Sequence, residues 1–320
     1  MAADGRRRMN DGQDHLFSVL SGEGVPLMVK IFTDSCSDLT KELREKYDIE
    51  YCRMNTIIKG KEQPASLDWE YYTPKKFYDF MRGGERITTT QVPAQEFETE
   101  FTKWLENGCD IVYIGCSSVL SGSVEMGRVT AEALLKQYPE RKIFCINSLN
   151  ACMGEGLLAI KAAEYRDQGF GAEEIAEKIE AVRNNVNQFC TVHSLEALRR
   201  AGRVKATAAF FGNLLGVKPI IISNKDGNNE PIKKVKGRIN SMREIVRLTA
   251  ENIVEPENQT VYICHADSPD DASELERMLK ESIPGVKTYT CYIGPIIGAS
   301  IGPDAIALLS FGENVEKFSV

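Results

Sequence analysis

From Val29 onward the chain alternates short apolar runs with amphipathic stretches of helical period, and this rhythm restricts the fold more than any other feature. Residues 29–33 read as a buried strand, 39–47 as a helix, and Ile57-Ile58 as part of another extended piece. Thr73-Pro74 is a helix start, with the hydroxyl as cap and proline in the first turn, and it puts Phe77, Phe80 and Met81 on one face. A helix over 94–106, a strand over 111–115, a helix over 121–137 and a strand over 143–146 follow. Strands separated by helices of this length predict a parallel sheet with crossover helices.

After two more helices, over 153–168 and 172–185, the strands come closer together. They are expected at 188–192, 219–223, 231–235, 261–265, 288–293 and 305–311, with Asp226-Gly227 as a hairpin turn between two of them. The fold class is therefore α/β, organised as an N-terminal α/β domain over 29–185 and a C-terminal α+β domain with a mainly antiparallel sheet over 186–320. Residues 1–28 are polar and rich in Gly, Arg and Asp, and read as an N-terminal extension or tag.

The 320 residues suffice for two cores, and 42% apolar with 27% charged residues is ordinary for a globular protein. A net charge of −7 argues against a nucleic-acid partner, which needs clustered Lys and Arg. No run approaches the roughly 18 apolar residues of a transmembrane helix. The nine cysteines form no C-x-x-C pair, and an odd number embedded in apolar strands fits a reducing cytoplasm. His15, His193 and His265 are too scattered for a His-rich metal site, and no metal is expected.

Three hydroxyl-rich stretches carry the main functional signal: Asp34-Ser35-Cys36-Ser37-Asp38, Thr88-Thr89-Thr90-Gln91 and Ser117-Ser118-Val119-Leu120-Ser121-Gly122-Ser123. The first and third follow a predicted parallel strand and precede a helix, at the sheet edge where ligands of open α/β folds bind. Helix N-termini there suit a carboxylate or phosphate. Each stretch is equally readable as a cap or turn.

These stretches resemble the motifs of the DegV family. Asp34 to Leu39 is similar to the family's D-S-T-S-D-L, with Cys36 in place of Thr. Thr89-Thr90-Gln91-Val92 is similar to T-S-Q-P, Leu120-Ser121-Gly122-Ser123 to L-S-G-T, and Gly202-Arg203-Val204 to G-R-I. Lys218-Pro219-Ile220, Asp226-Gly227 and Lys236-Gly237-Arg238 are similar to the next family segments. The closing I-G-P-v-I-G-x-H-x-G-P-G corresponds to residues 293–304, with Ser300 at the histidine and Asp304 at the last glycine. The resemblance runs from about residue 29 to 312 in the family's order.

The resemblance implies a two-domain protein of EDD fold that buries a long-chain fatty acid such as palmitate, stearate or oleate between its domains. It implies no other cofactor and no catalytic residue. Thr89, Thr90, Ser121 and Gly122 would hold the carboxylate, with Ser35, Ser123, Arg203, Arg238 and Ser300 near the head group or a partner surface. The implied partner is a separate acyl kinase, which phosphorylates the bound acid for phospholipid synthesis. Replacement of the family histidine by Ser300 bears on that phosphotransfer more than on binding, and motivates an alternative in which the protein is a lipid sensor or store. His265 is the one imidazole considered as a substitute, against a structural role.

Gly298-Ala299-Ser300-Ile301-Gly302 fits the G-x-S-x-G nucleophile elbow, and a Ser-dependent lipid hydrolase built on Ser300 or Ser121 is the rival activity. No His follows Ser300, which the elbow's order of residues requires. Gly154-Glu155-Gly156-Leu157-Leu158-Ala159 fits a dinucleotide fingerprint but comes late after its strand, and close packing of helix on sheet is the better account. Arg199, Arg200, Arg203 and Lys205 read as a solvated helix end, Arg203 apart.

Overall fold

The structure is a computed structural model that describes residues 28–204 and 216–318. Lys205 and all but the last residue of the expected extension lie outside them. The first strand, β1 (Val29–Asp34), is buried along its whole length. It is a central strand of a four-stranded sheet with β2 (Ile49–Cys52), β6 (Asp110–Gly115) and β7 (Ile143–Asn147), in the order β2-β1-β6-β7. Every ladder in this sheet is parallel, as the strand–helix alternation predicts. Helix α1 (Lys41–Tyr47) joins β1 to β2, and α4 (Ser123–Leu135) joins β6 to β7.

Between β2 and β6 lies a smaller antiparallel sheet that the hydrophobic pattern does not announce. It comprises β3 (Asn55–Ile58), β4 (Lys61–Pro64) and β5 (Thr88–Thr90), in the order β4-β3-β5. Helix α2 (Pro74–Arg82) starts as expected, with Thr73 Oγ1 accepting from the Lys76 N–H at 3.3 Å. Its inner face differs from expectation. Phe77 and Tyr78 are fully buried, whereas Phe80 and Met81 are half-buried. Tyr78 turns inward because its hydroxyl donates to the Ile293 carbonyl at 2.6 Å. Helix α3 (Ala94–Glu106) packs Phe97 and Phe101 against β6.

The next helices are α5 (Met153–Asp167) and α6 (Ala172–Val182). They lead to a six-stranded sheet of β8 (Val186–Thr191), β9 (Val217–Ser223), β10 (Asn229–Lys236), β11 (Thr260–His265), β12 (Lys287–Tyr292) and β13 (Ile306–Phe311). Its order is β10-β9-β8-β13-β11-β12, and every ladder is antiparallel except β11–β12. The expected hairpin joins β9 to β10, with Gly227 at φ +81° in its turn. Helices α8 (Arg238–Asn252) and α9 (Pro269–Ser282) cover the outer face of this sheet through Met242, Ile245, Leu275 and Leu279. Short helices α7 (Glu196–Ala201) and α10 (Pro295–Ile301) pack on each other.

Helix α5 contacts strands of both large sheets, and residues 153–160 with Ala162 and Ala163 are buried. Its small residues permit this. A Cβ at Gly156 would come within 2.8 Å of the Ser37 carbonyl, so the G-x-G-x-x-A pattern records close backbone packing. All nine cysteines are free thiols. No helix among the described residues is long and apolar enough to cross a membrane.

Candidate functional site

The turn after β1, the turn after β6 and strand β5 converge at the carboxyl edge of the parallel sheet. Asp34 holds the first two together: one carboxylate oxygen accepts the Cys36 N–H at 2.8 Å, the other the Cys116 N–H at 3.2 Å and the Tyr113 hydroxyl at 2.7 Å. The Ser123 hydroxyl ties in the third, accepting the Val92 N–H at 3.1 Å and lying 3.0 Å from Ser121 Oγ. Ser121 stays in the turn through its N–H to the Ser117 carbonyl, so α4 begins two residues later than the pattern predicts, with Gly122 as its cap.

These segments border a cavity of about 150 Å³ that reaches between the two large sheets. Thr89, Thr90, Ser121, Gly122, Arg203 and Ser300 line its polar side. Met54, Leu198, Ile221, Ile293, Ile296 and Ile301 supply apolar wall. Thr89, Arg203 and Ser300 also line an adjoining cleft of about 330 Å³, so the two spaces meet at those residues. Glu85, Arg86 and Arg200 stand on the cleft side. The arrangement offers neutral donors and one guanidinium to an acidic head group and an apolar interior to a hydrocarbon chain.

Arg203 is fixed in place: its Nε donates to the Leu120 carbonyl at 2.8 Å, and its own carbonyl accepts from Asn229 Nδ2 at 2.9 Å. Ser35, Ser123 and Arg238 do not line the cavity. The Ser35 hydroxyl donates to the Ala65 carbonyl at 2.8 Å and accepts the Met54 N–H at 3.1 Å, bracing the loop beside the site. Arg238 heads α8 and pairs with Asp271 at 2.7 Å. Gln188, Asn229 and the thiols of Cys36, Cys116, Cys152 and Cys190 also line the cavity, although no sequence motif marks them as site residues. In the sequence Gln188 is a polar residue at the start of the strand expected over 188–192, and that is its one signal.

No imidazole lines the cavity among the described residues. His265 packs against Tyr292 with the rings tilted by 50° and their centroids 4.4 Å apart, and its Nδ1 accepts the Ser268 N–H at 3.2 Å. Burial holds its pKa below the ordinary histidine range, with Asp267 opposing. Ser300 occupies the last turn of α10 and not a strand-to-helix elbow, so the nucleophile geometry of the G-x-S-x-G pattern is not formed. Asp304 has φ +63°, the left-handed region where the family motif carries glycine, and its carboxylate accepts from Arg82 Nη2 at 2.7 Å.

The model of the DegV family, described as "Uncharacterised protein, DegV family", matches residues 28–313. A DegV domain-containing protein of Clostridium perfringens is 35% identical over 286 residues, spanning 89% of this chain and 98% of the relative. Among solved structures, DegV of Bacillus subtilis, described as a fatty acid binding protein, superposes with a TM-score of 0.75 at 25% identity, covering 88% of this chain and 98% of that one. A stearic-acid-binding protein of Eubacterium ventriosum reaches a TM-score of 0.79 at 23% identity, covering 90% and 99%.

Proposed function

The chain belongs to the DegV family, and on that premise we propose that it is a non-catalytic carrier that binds one long-chain fatty acid. The observation that carries this reading is a cavity with apolar walls whose polar side is made of Thr89, Thr90, Ser121 and Gly122. A sixteen-carbon acid buries about 14 methylenes at roughly 0.8 kcal/mol each, on the order of 11 kcal/mol before ordering and association costs. The walls supply affinity, and the hydroxyls need only orient the carboxylate. Hydrogen bonds to an ionised group are the strong ones, so a few neutral donors suffice to hold it. DegV of Bacillus subtilis is described as a fatty acid binding protein and the Eubacterium ventriosum protein as binding stearic acid, which supports the same reading.

Denaturing extraction of the purified protein, followed by mass spectrometry, tests the proposal. One equivalent of a C14–C18 fatty acid is expected. An empty extract, together with no thermal shift on adding palmitate or oleate, overturns it.

We further propose that the carboxylate is presented to a separate acyl kinase through the mouth formed by Thr89, Arg203 and Ser300. The serine at position 300 favours a second reading, a lipid store or sensor without that partner. Incubating the palmitate-loaded protein with an acyl kinase and ATP separates the two. Acyl phosphate formation supports the carrier, and its absence, with restoration by Ser300→His, supports the store.

A further inference from the structure

Among the described residues one group brings metal-ligating atoms together: Cys36, Cys116 and Glu155 place two sulfurs and a carboxylate oxygen within 4.8 Å of one another. They come from the turn after β1, the turn after β6 and the first turn of α5, so no sequence spacing announces them. Each is at most 2% exposed.

Their surroundings hold the donors in place. Asp34 clasps the Cys36 and Cys116 backbones through opposite oxygens of one carboxylate, and the Tyr113 hydroxyl fixes that carboxylate. Such outer contacts orient ligands in metal sites. Glu155 Oε1 accepts from the Thr33 hydroxyl at 2.7 Å and the Asp34 N–H at 3.4 Å. Glu155 Oε2 is buried with no partner. A buried carboxyl oxygen left without a bond is costly, and a cation beside it would remove the deficit. Both cysteines also line the cavity, so the cluster is open on one side.

We infer that Cys36, Cys116 and Glu155 form a binding site for a thiophilic divalent cation of the zinc class, its fourth coordination position facing the cavity. Thiolate donors select soft or borderline ions over Mg²⁺ or Ca²⁺. Bonds of about 2.3 Å to sulfur and about 2.1 Å to oxygen put tetrahedral donors roughly 3.5–3.8 Å apart, so the three side chains need close by only about 1 Å. Three protein ligands with one open position is the arrangement of zinc sites that exchange their fourth ligand. The DegV motif carries Thr where this chain has Cys36, so the site belongs to this chain's own departure from the pattern. It stands on these residues whatever else occupies the cavity.

Cobalt(II) is the optical probe. Reduced, chelator-treated full-length protein is titrated with Co²⁺, and one equivalent is expected to produce a thiolate-to-cobalt charge-transfer band that Zn²⁺ then displaces. Cys36→Thr, which restores the family residue, and Cys116→Ser each remove the band. Glu155→Gln retains it with at least tenfold weaker binding. Cys145→Ser, a thiol outside both the group and the cavity, leaves the titration unchanged, and circular dichroism of every variant checks folding. Absence of the band in the fully reduced protein, or its survival in folded Cys36→Thr, overturns the inference. So does a Cys36–Cys116 disulfide in peptide maps of the untreated protein when no band appears after reduction.

Discussion

Thr89 and Ser121 illustrate how much of a site one residue can disclose. Ser121 sits in a strand–turn–helix setting that marks a ligand edge, and so does Ser35, whereas Thr89 is a head-group candidate through its resemblance to the family motif. The difference lies in placement: Ser35 is engaged with Ala65 and Met54 and lies off the cavity, while Thr89 and Ser121 line it, Ser121 with its hydroxyl 3.0 Å from Ser123 Oγ. Sequence sets the residue type and the neighbourhood but not the rotamer. If these hydroxyls hold a carboxylate, Thr89→Val and Ser121→Ala should each weaken palmitate binding by about 10- to 100-fold, the range for a bond to a charged group. Titration calorimetry with palmitate measures this, and unchanged affinity in the double variant would move the head group elsewhere. His265 carries a prediction of a different kind. Its Nδ1 must be unprotonated to accept the Ser268 N–H at the start of α9, and burial lowers its pKa. The unfolded chain therefore takes up this proton first as pH falls below about 6.5, so the folded state loses stability there and keeps it fully above that pH. His265→Gln retains an acceptor without titrating. Its melting temperature should fall less than that of the parent between pH 7 and pH 5, and parallel curves would show that His265 contributes nothing to acid lability.

At the scale of elements, the periodic helices and most buried strands were legible, and the shortest elements, β5 and α10 among them, were not. Helix α3 has the predicted bounds, because its apolar positions repeat at helical spacing over more than three turns. Strand β5 is three threonines, too short for any period, and becomes a strand only by pairing with β3. Helix α10 was readable only as a glycine- and proline-rich motif, and its helical form rests on what it packs against. Gly298 is the point of contact: a Cβ there would lie 2.4 Å from the Tyr78 hydroxyl, which is fully buried and bonded to Ile293. Alanine raises intrinsic helix propensity by up to about 1 kcal/mol, whereas overpacking typically costs about 1–3 kcal/mol. Gly298→Ala should therefore lower stability in denaturant titrations. Removing the hydroxyl by Tyr78→Phe should cost about 1 kcal/mol alone and soften the glycine substitution. A double-mutant cycle should give a favourable coupling above about 0.5 kcal/mol, and strict additivity would mean that α10 and α2 do not meet in this way.

For the whole molecule, α5 decides the behaviour. The strand pattern shows two sheets of different character but cannot show that they share a core, because Met153 to Ala163 give no amphipathic stripe to orient. Enclosed between sheets, the helix needs none. The largest apolar cluster accordingly joins Ile31 and Val112 of the parallel sheet, Leu158 and Ala162 of α5, and Cys190, Ala307 and Leu309 of the six-stranded sheet. Neither sheet can lose its packing without exposing a face of the other, so unfolding should be cooperative across the described chain. The cavity lies at the same junction, with walls from Met54 on one side and Ile221 and Ala307 on the other. A bound acid then stabilises both sheets at once. At free ligand 100 times Kd the gain is about 2.7 kcal/mol, or roughly 4 °C in melting temperature for a protein of this size. Calorimetry of loaded and delipidated protein should show one transition in each case, displaced downward by about that amount on lipid removal. Two separated transitions would show that the sheets fold independently and that α5 does not couple them. A single transition indifferent to lipid would leave the shared core intact and place the ligand outside the junction.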